Sequence, residues 1–150
     1  CALPRNLHAA PSNPNSIFIQ LGESTVPLDG PWKFHIGDNP RWADPGFDDS
    51  GWETVDLTPP ANAHDADVGL TGYVPGWEAK GHPGYWGYAW YRIRLSIVAP
   101  PQRRMALAGP PDVDSAYQVF LNGRLLATSG NFSGATPAAC ANSASWRKLP

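Results

Sequence analysis

Apolar and polar residues alternate with a period of two in several short stretches of this chain, and helical periodicity does not recur. Trp32, Phe34 and Ile36 alternate with Lys33 and His35. Because successive side chains of a strand point to opposite faces, this pattern predicts a strand with one buried face. The sequence therefore predicts an all-β fold.

A longer alternation runs over residues 88–98 and ends at a pair of prolines. It places apolar side chains on one face and Trp90, Arg92 and Arg94 on the other. We interpret it as one continuous strand. Its polar face is a secondary candidate for ligand contact. More often such a face is covered by another strand or a neighbouring domain, and Arg92 pairs with a carboxylate.

Residues 117–121 and 124–128 form two further alternating runs, joined by Asn122-Gly123. Asn-Gly predicts a tight hairpin, because both central positions of a type I′ turn need positive φ. About seven short strands then suggest an antiparallel β-sandwich. The remaining strands are predicted at 17–21, 53–57 and 104–108.

Length and charge exclude several classes of protein. The 150 residues suit a single domain, and a net charge of -2 with only 11 Lys and Arg offers no basic surface for nucleic acid. No run of about 18 apolar residues is present, so the sequence predicts no membrane span in this fragment.

Residues 1–15 differ in character from the single domain predicted over 16–150. The small residues before Pro11 are typical of the end of a secretory signal, and Cys1 is alternatively the lipid-bearing residue of a bacterial lipoprotein. An arbitrary fragment boundary explains them equally well. We expect an extracytoplasmic protein. Cys1 and Cys140 have no metal-like spacing, so we expect neither a disulfide framework nor a zinc site.

Four segments together carry a family resemblance. Segments 28–34, 47–55 and 87–95 resemble, in this order, the galactose-binding-like jelly roll, and 113–123 is similar to its later strand and hairpin. That fold occurs as the amino-terminal sugar-binding domain of family 2 glycoside hydrolases, in sialate esterases and rhamnosidases, and as extracytoplasmic sensory domains of bacterial multi-helix membrane receptors. Such domains continue beyond the equivalent of 146–150, so we expect a C-terminally incomplete domain.

The resemblance implies a non-catalytic binding or sensory module of a larger bacterial membrane signalling protein, with carbohydrate or another small ligand and the parent's downstream domains as partners. The alternative is an accessory sugar-binding domain of a family 2-like glycoside hydrolase. A stand-alone hydrolase is the third and least favoured class, because no catalytic motif is recognisable.

The connection over residues 58–87 is the primary candidate for a binding surface. It is far longer than the usual four to six residues and is rich in Gly, Pro and aromatic side chains. Aromatic faces and a few polar groups suit a sugar; the alternative is that these side chains plug one end of the fold. The candidates are Tyr73, Trp77, His82, Tyr85 and Trp86.

Clustered carboxylates raise two weaker possibilities. Asp44, Asp48 and Asp49 are weak candidates for a structural calcium ion, although Asp side chains in turns more often accept local backbone N–H bonds. No other cofactor is expected. Acid pairs that could hydrolyse glycosides are better explained by capping and solvation. These pairs are Asp65 with Asp67, and Asp112 with Asp114.

Overall fold

The computed structural model describes residues 16–22, 25–63, 74–102, 104–109, 116–132 and 147–148. This part of the chain is rich in strands and contains no α-helix, which confirms the all-β class. Two 3₁₀ helices occupy Pro40–Ala43 and Trp77–Lys80. The strands are β1 (Ile17–Gln20), β2 (Trp32–Ile36), β3 (Glu53–Val55), β4 (Ala89–Arg92), β5 (Leu95–Val98), β6 (Ala106–Leu107), β7 (Tyr117–Leu121), β8 (Arg124–Ser129) and β9 (Arg147–Lys148).

The described strands form four small sheets. β3, β2 and β4 make a three-stranded antiparallel sheet, here called the central sheet. β7 with β8 and β6 with β9 are antiparallel pairs, whereas β1 and β5 pair in parallel. The antiparallel prediction therefore holds for every pair except β1 with β5.

The prediction of one continuous strand over 88–98 is wrong, because this stretch forms two strands. It divides at Ile93 and Arg94, so that β4 pairs with β2 and β5 pairs with β1. The Ile17 amide donates to the Arg94 carbonyl across 2.8 Å, at the point where the chain changes its neighbour. Alternation specifies which way side chains point, but not which strand accepts the backbone hydrogen bonds.

One face of the central sheet, here called the first face, carries Phe34, the most buried side chain among the described residues. Phe34 in β2 is 1% exposed, and its ring centroid lies 4.8 Å from that of Tyr91. Val55 in the neighbouring strand is also buried. This arrangement confirms the half-buried strand predicted from alternation at Trp32, Phe34 and Ile36.

The predicted hairpin is present. Asn122 and Gly123 have φ values of 50° and 81°, as a turn with two left-handed positions requires. Phe120 on this hairpin stacks on Trp90, with ring centroids 5.2 Å apart, and so joins the hairpin to the central sheet.

Several predictions fall on residues that the structure does not describe. Residues 1–15 and Cys140 lie outside the described residues, as do the acid pairs Asp65 with Asp67 and Asp112 with Asp114. Within the described ranges, no helix is long and apolar enough to cross a membrane.

Candidate binding site

Two of the five loop candidates, Trp77 and Tyr85, hold the loop in place. The indole N–H of Trp77 donates to the Tyr85 carbonyl across 3.1 Å, and the two rings meet edge to face. The Tyr85 hydroxyl donates to the Tyr88 carbonyl at 2.7 Å and accepts the Gly37 amide at 3.0 Å. Tyr85 thereby fastens the loop to the end of β2.

His82 covers the first face of the central sheet. Its ring lies against Phe34, with centroids 5.3 Å apart, and its Nε2 atom lies 3.0 Å from the Glu53 carboxylate. Only 16% of its side chain is exposed. These contacts are those of a plug over the core, so His82 presents little surface to a ligand.

Trp86 is placed differently, because 86% of it is exposed. The preceding residue, Tyr85, is fixed by its hydroxyl, and a Cβ atom at the following Gly87 would lie 2.8 Å from that hydroxyl oxygen. Glycine at position 87 thus leaves room for Tyr85 to reach its partners. The result is an exposed indole on anchored backbone. Tyr73, the fifth candidate, lies outside the described residues.

The opposite face of the central sheet, here called the second face, carries Lys33 and Arg92. Beside it, two arginines share one carboxylate. Asp49 is 4% exposed, and its Oδ2 accepts from Arg92 Nε at 2.9 Å. One terminal nitrogen of Arg94 lies 2.7 and 2.8 Å from the two oxygens of the same carboxylate. Arg92 therefore has the carboxylate partner that its pattern suggested.

The same arginines also bind backbone carbonyls of the segment 42–49. Arg92 donates to the carbonyls of Trp42 and Asp44, the latter at 3.1 Å, and Arg94 donates to that of Phe47 at 2.9 Å. Each guanidinium satisfies several acceptors at once, which suits its planar set of donors. The Arg92–Asp49–Arg94 cluster fastens this segment onto the sheet.

Electrostatics keep the Asp49 carboxylate ionised. Burial raises its pKa, but hydrogen bonds from Arg94 and Arg92 lower it by more, so the pKa lies below its usual value. The sequence pattern indicated that Arg92 pairs with a carboxylate but did not identify Asp49 as the partner, since Asp49 and the two arginines are more than 40 positions apart. The i, i+2 spacing of Arg92 and Arg94 indicated only that the two arginines share a face.

The secondary candidate face is therefore largely occupied. Arg92 lies over the rings of Phe47 and Trp52, at 5.6 and 6.0 Å from their centroids. Trp90 stacks on Phe120 and donates its indole N–H to Asp38 at 2.8 Å. Segment 42–49 covers the arginine end of this face, and Phe120 of β7 covers Trp90.

The weak calcium candidates have other partners in this structure. Asp44 Oδ1 accepts the Gly46 amide at 2.8 Å, and Asp48 Oδ1 accepts the Ser50 amide at 3.0 Å. These are the local turn bonds weighed against metal binding. Within the part of the chain that the structure describes, no group of three or more His, Cys, Asp or Glu side chains is placed to hold a metal ion.

Comparison with models of protein families, with curated proteins and with solved structures gives no match. The likeness to galactose-binding-like domains therefore rests on the sequence segments alone. Among the loop candidates that the structure describes, Trp86 is the one with most of its surface exposed to a ligand.

Proposed function

We propose that this chain is a non-catalytic recognition module of the galactose-binding-like kind, belonging to a larger exported bacterial protein, and that Trp86 contacts its carbohydrate ligand. The observation that carries the proposal is the 86% exposure of Trp86 on a loop anchored by Tyr85. In the parent protein the module reports ligand binding to a membrane signalling apparatus.

An exposed indole suits a sugar for a physical reason. A tryptophan can bury about 150–250 Å² of largely apolar surface on contact, and a pyranose presents C–H patches that an aromatic face can cover. The backbone next to Trp86 is held by the hydrogen bonds of Trp77 and Tyr85, so binding requires little further ordering of this part of the chain. Less ordering on binding leaves more of the contact energy as affinity.

A saccharide panel tests the proposal. Wild-type protein is screened against immobilised neutral glycans, and the binding ones are measured by calorimetry with Trp86→Ala and with Phe18→Ala. Phe18 is a matched control because it is 66% exposed but lies in β1, outside the loop. We expect Trp86→Ala to lose about tenfold or more in affinity, equivalent to about 1.4 kcal/mol, and Phe18→Ala to keep it.

Two results would overturn the proposal. One is a wild-type protein that binds no glycan of the panel. The other is a Trp86→Ala variant that binds as tightly as wild type. Thermal unfolding of both variants shows whether a loss of binding reflects the site or the fold, and we expect no change in either, since both side chains are largely exposed.

A further inference from the structure

A pocket of about 180 Å³ lies at the edge of the central sheet, where β1 approaches the end of β4. Three cationic side chains line it, those of Lys33, Arg92 and Arg94, together with one carboxylate, that of Asp49. These four side chains have a formal sum of +2. The pocket shares no residue with the Trp86 loop.

The single carboxylate of the pocket is already engaged. Both Asp49 oxygens accept hydrogen bonds from Arg94, and one accepts from Arg92 as well. Arg94 nevertheless keeps 26% of its side chain exposed. Asp49 therefore stabilises the arginines without cancelling the positive charge of the pocket.

Lys33 carries the part of this charge that no acid offsets. Its ammonium lies 3.2 Å from Thr54 Oγ1 and 3.4 Å from the Trp52 carbonyl, both neutral acceptors. None of the ion pairs found among the described residues includes Lys33. In the β2–β4 pair it stands directly opposite Arg92, and like charges in that position are destabilising unless another group offsets them.

Apart from Thr54, the remaining lining is apolar, and it limits the size and nature of what fits. Trp32, Pro31 and Ile17 contribute to the wall. The pocket has room for several waters, which is more than a single inorganic ion needs. It is also smaller than the roughly 300–1,000 Å³ typical of sites for drug-sized ligands.

We propose that this pocket binds a small organic carboxylate, with the carboxylate group between Lys33 and Arg94 and the body of the molecule against the apolar part of the wall. Charge-assisted hydrogen bonds to an ammonium and a guanidinium are shorter and stronger than neutral ones. A ligand carboxylate also removes the repulsion between Lys33 and Arg92. The site stands independently of carbohydrate binding at Trp86.

Calorimetry with three probes tests this inference. D-glucuronate offers a carboxylate on a body of suitable size, D-glucose is its uncharged counterpart, and inorganic phosphate offers charge without the body. We expect millimolar or tighter binding of glucuronate, at least about tenfold weaker binding of glucose and of phosphate, and weakening of glucuronate binding as salt is raised.

Two matched variants locate the site. Lys33→Met removes the ammonium and keeps most of the length of the side chain. We expect it to weaken glucuronate binding by about tenfold or more. Lys80→Met is the control, because Lys80 donates to the Asp56 carbonyl and does not line the pocket. Glucuronate binding should also survive Trp86→Ala, which separates this site from the proposed carbohydrate surface.

Four outcomes would overturn the inference. Three of them are the absence of glucuronate binding at millimolar concentrations, equal affinity for glucuronate and glucose, and undiminished binding by Lys33→Met. Phosphate bound as tightly as glucuronate would also overturn it, because the apolar wall would then contribute nothing. A melting temperature of Lys33→Met at or above that of wild type shows that a loss of binding is local, because removing the ammonium also removes its repulsion with Arg92.

Discussion

Replacing Asp49 by Asn tests whether the Arg92–Asp49–Arg94 cluster holds segment 42–49 on the central sheet. The substitution keeps the shape of the side chain but removes its charge and places an amide N–H₂ group among guanidinium donors. Two arginines, with side chains 13% and 26% exposed, are then left beside a neutral group.

The expected loss of stability is large. Removing one partner of a buried ion pair typically costs about 3–5 kcal/mol, and the partial exposure of Arg94 points to the lower end. A loss of about 3 kcal/mol is a substantial fraction of the roughly 5–15 kcal/mol of a typical domain. At about 2–4 °C per kcal/mol for a chain of this size, the melting temperature falls by about 6–12 °C.

Urea unfolding at pH 7, followed by tryptophan fluorescence, measures the change. Asp48→Asn is a close control, since Asp48 is the exposed neighbour and an Asn there can still accept the Ser50 amide. We expect the control to stay within about 0.5 kcal/mol of wild type. If Asp49→Asn also stays within that margin, the cluster does not stabilise the fold and the reasoning above is wrong.

Three further predictions concern pH, the loop and catalysis. The folded-state pKa of Asp49 lies below its ordinary 3.8, so its contribution to the free energy of unfolding is present at higher pH and is lost as pH falls through the folded-state pKa. In urea unfolding, the stabilities of wild type and Asp49→Asn should therefore approach each other below about pH 3.8 and differ by a constant amount above about pH 5. Gly87→Ala should cost about 1 kcal/mol or more by displacing the Tyr85 hydroxyl, whereas Gly76→Ala, whose Cβ meets nothing within 4 Å, should cost less in the same assay. The isolated chain should release no chromophore from nitrophenyl glycosides, and steady turnover that survives purification would contradict a non-catalytic role.

Features encoded by neighbouring residues could be predicted from the sequence. The Asn122-Gly123 hairpin depends on local φ preferences, and the burial of Phe34 follows from alternation in one strand. The turn bond from Asp48 to the Ser50 amide is local in the same sense. Each could be predicted because two to five adjacent positions determine it.

Features that depend on pairing between distant parts of the chain could not be predicted from the sequence. The change of partner at Ile93 depends on β1, more than 70 positions earlier, and the role of Asp49 depends on two arginines at and just beyond the end of β4. Composition likewise cannot distinguish an aromatic residue that anchors a loop from one that projects out of it. Tyr85 and Trp86 are adjacent in the chain, yet one is fastened by two hydrogen bonds and the other is exposed.

The most direct test of recognition through Trp86 is its indole N–H signal in a nitrogen-edited NMR spectrum, titrated with a saccharide that the panel selects. The chain has 7 tryptophans, and the Trp86→Ala spectrum identifies the signal by its disappearance. We predict that the Trp86 signal moves progressively with added saccharide while that of buried Trp52 stays in place. A Trp86 signal that does not move while the saccharide binds would contradict the account.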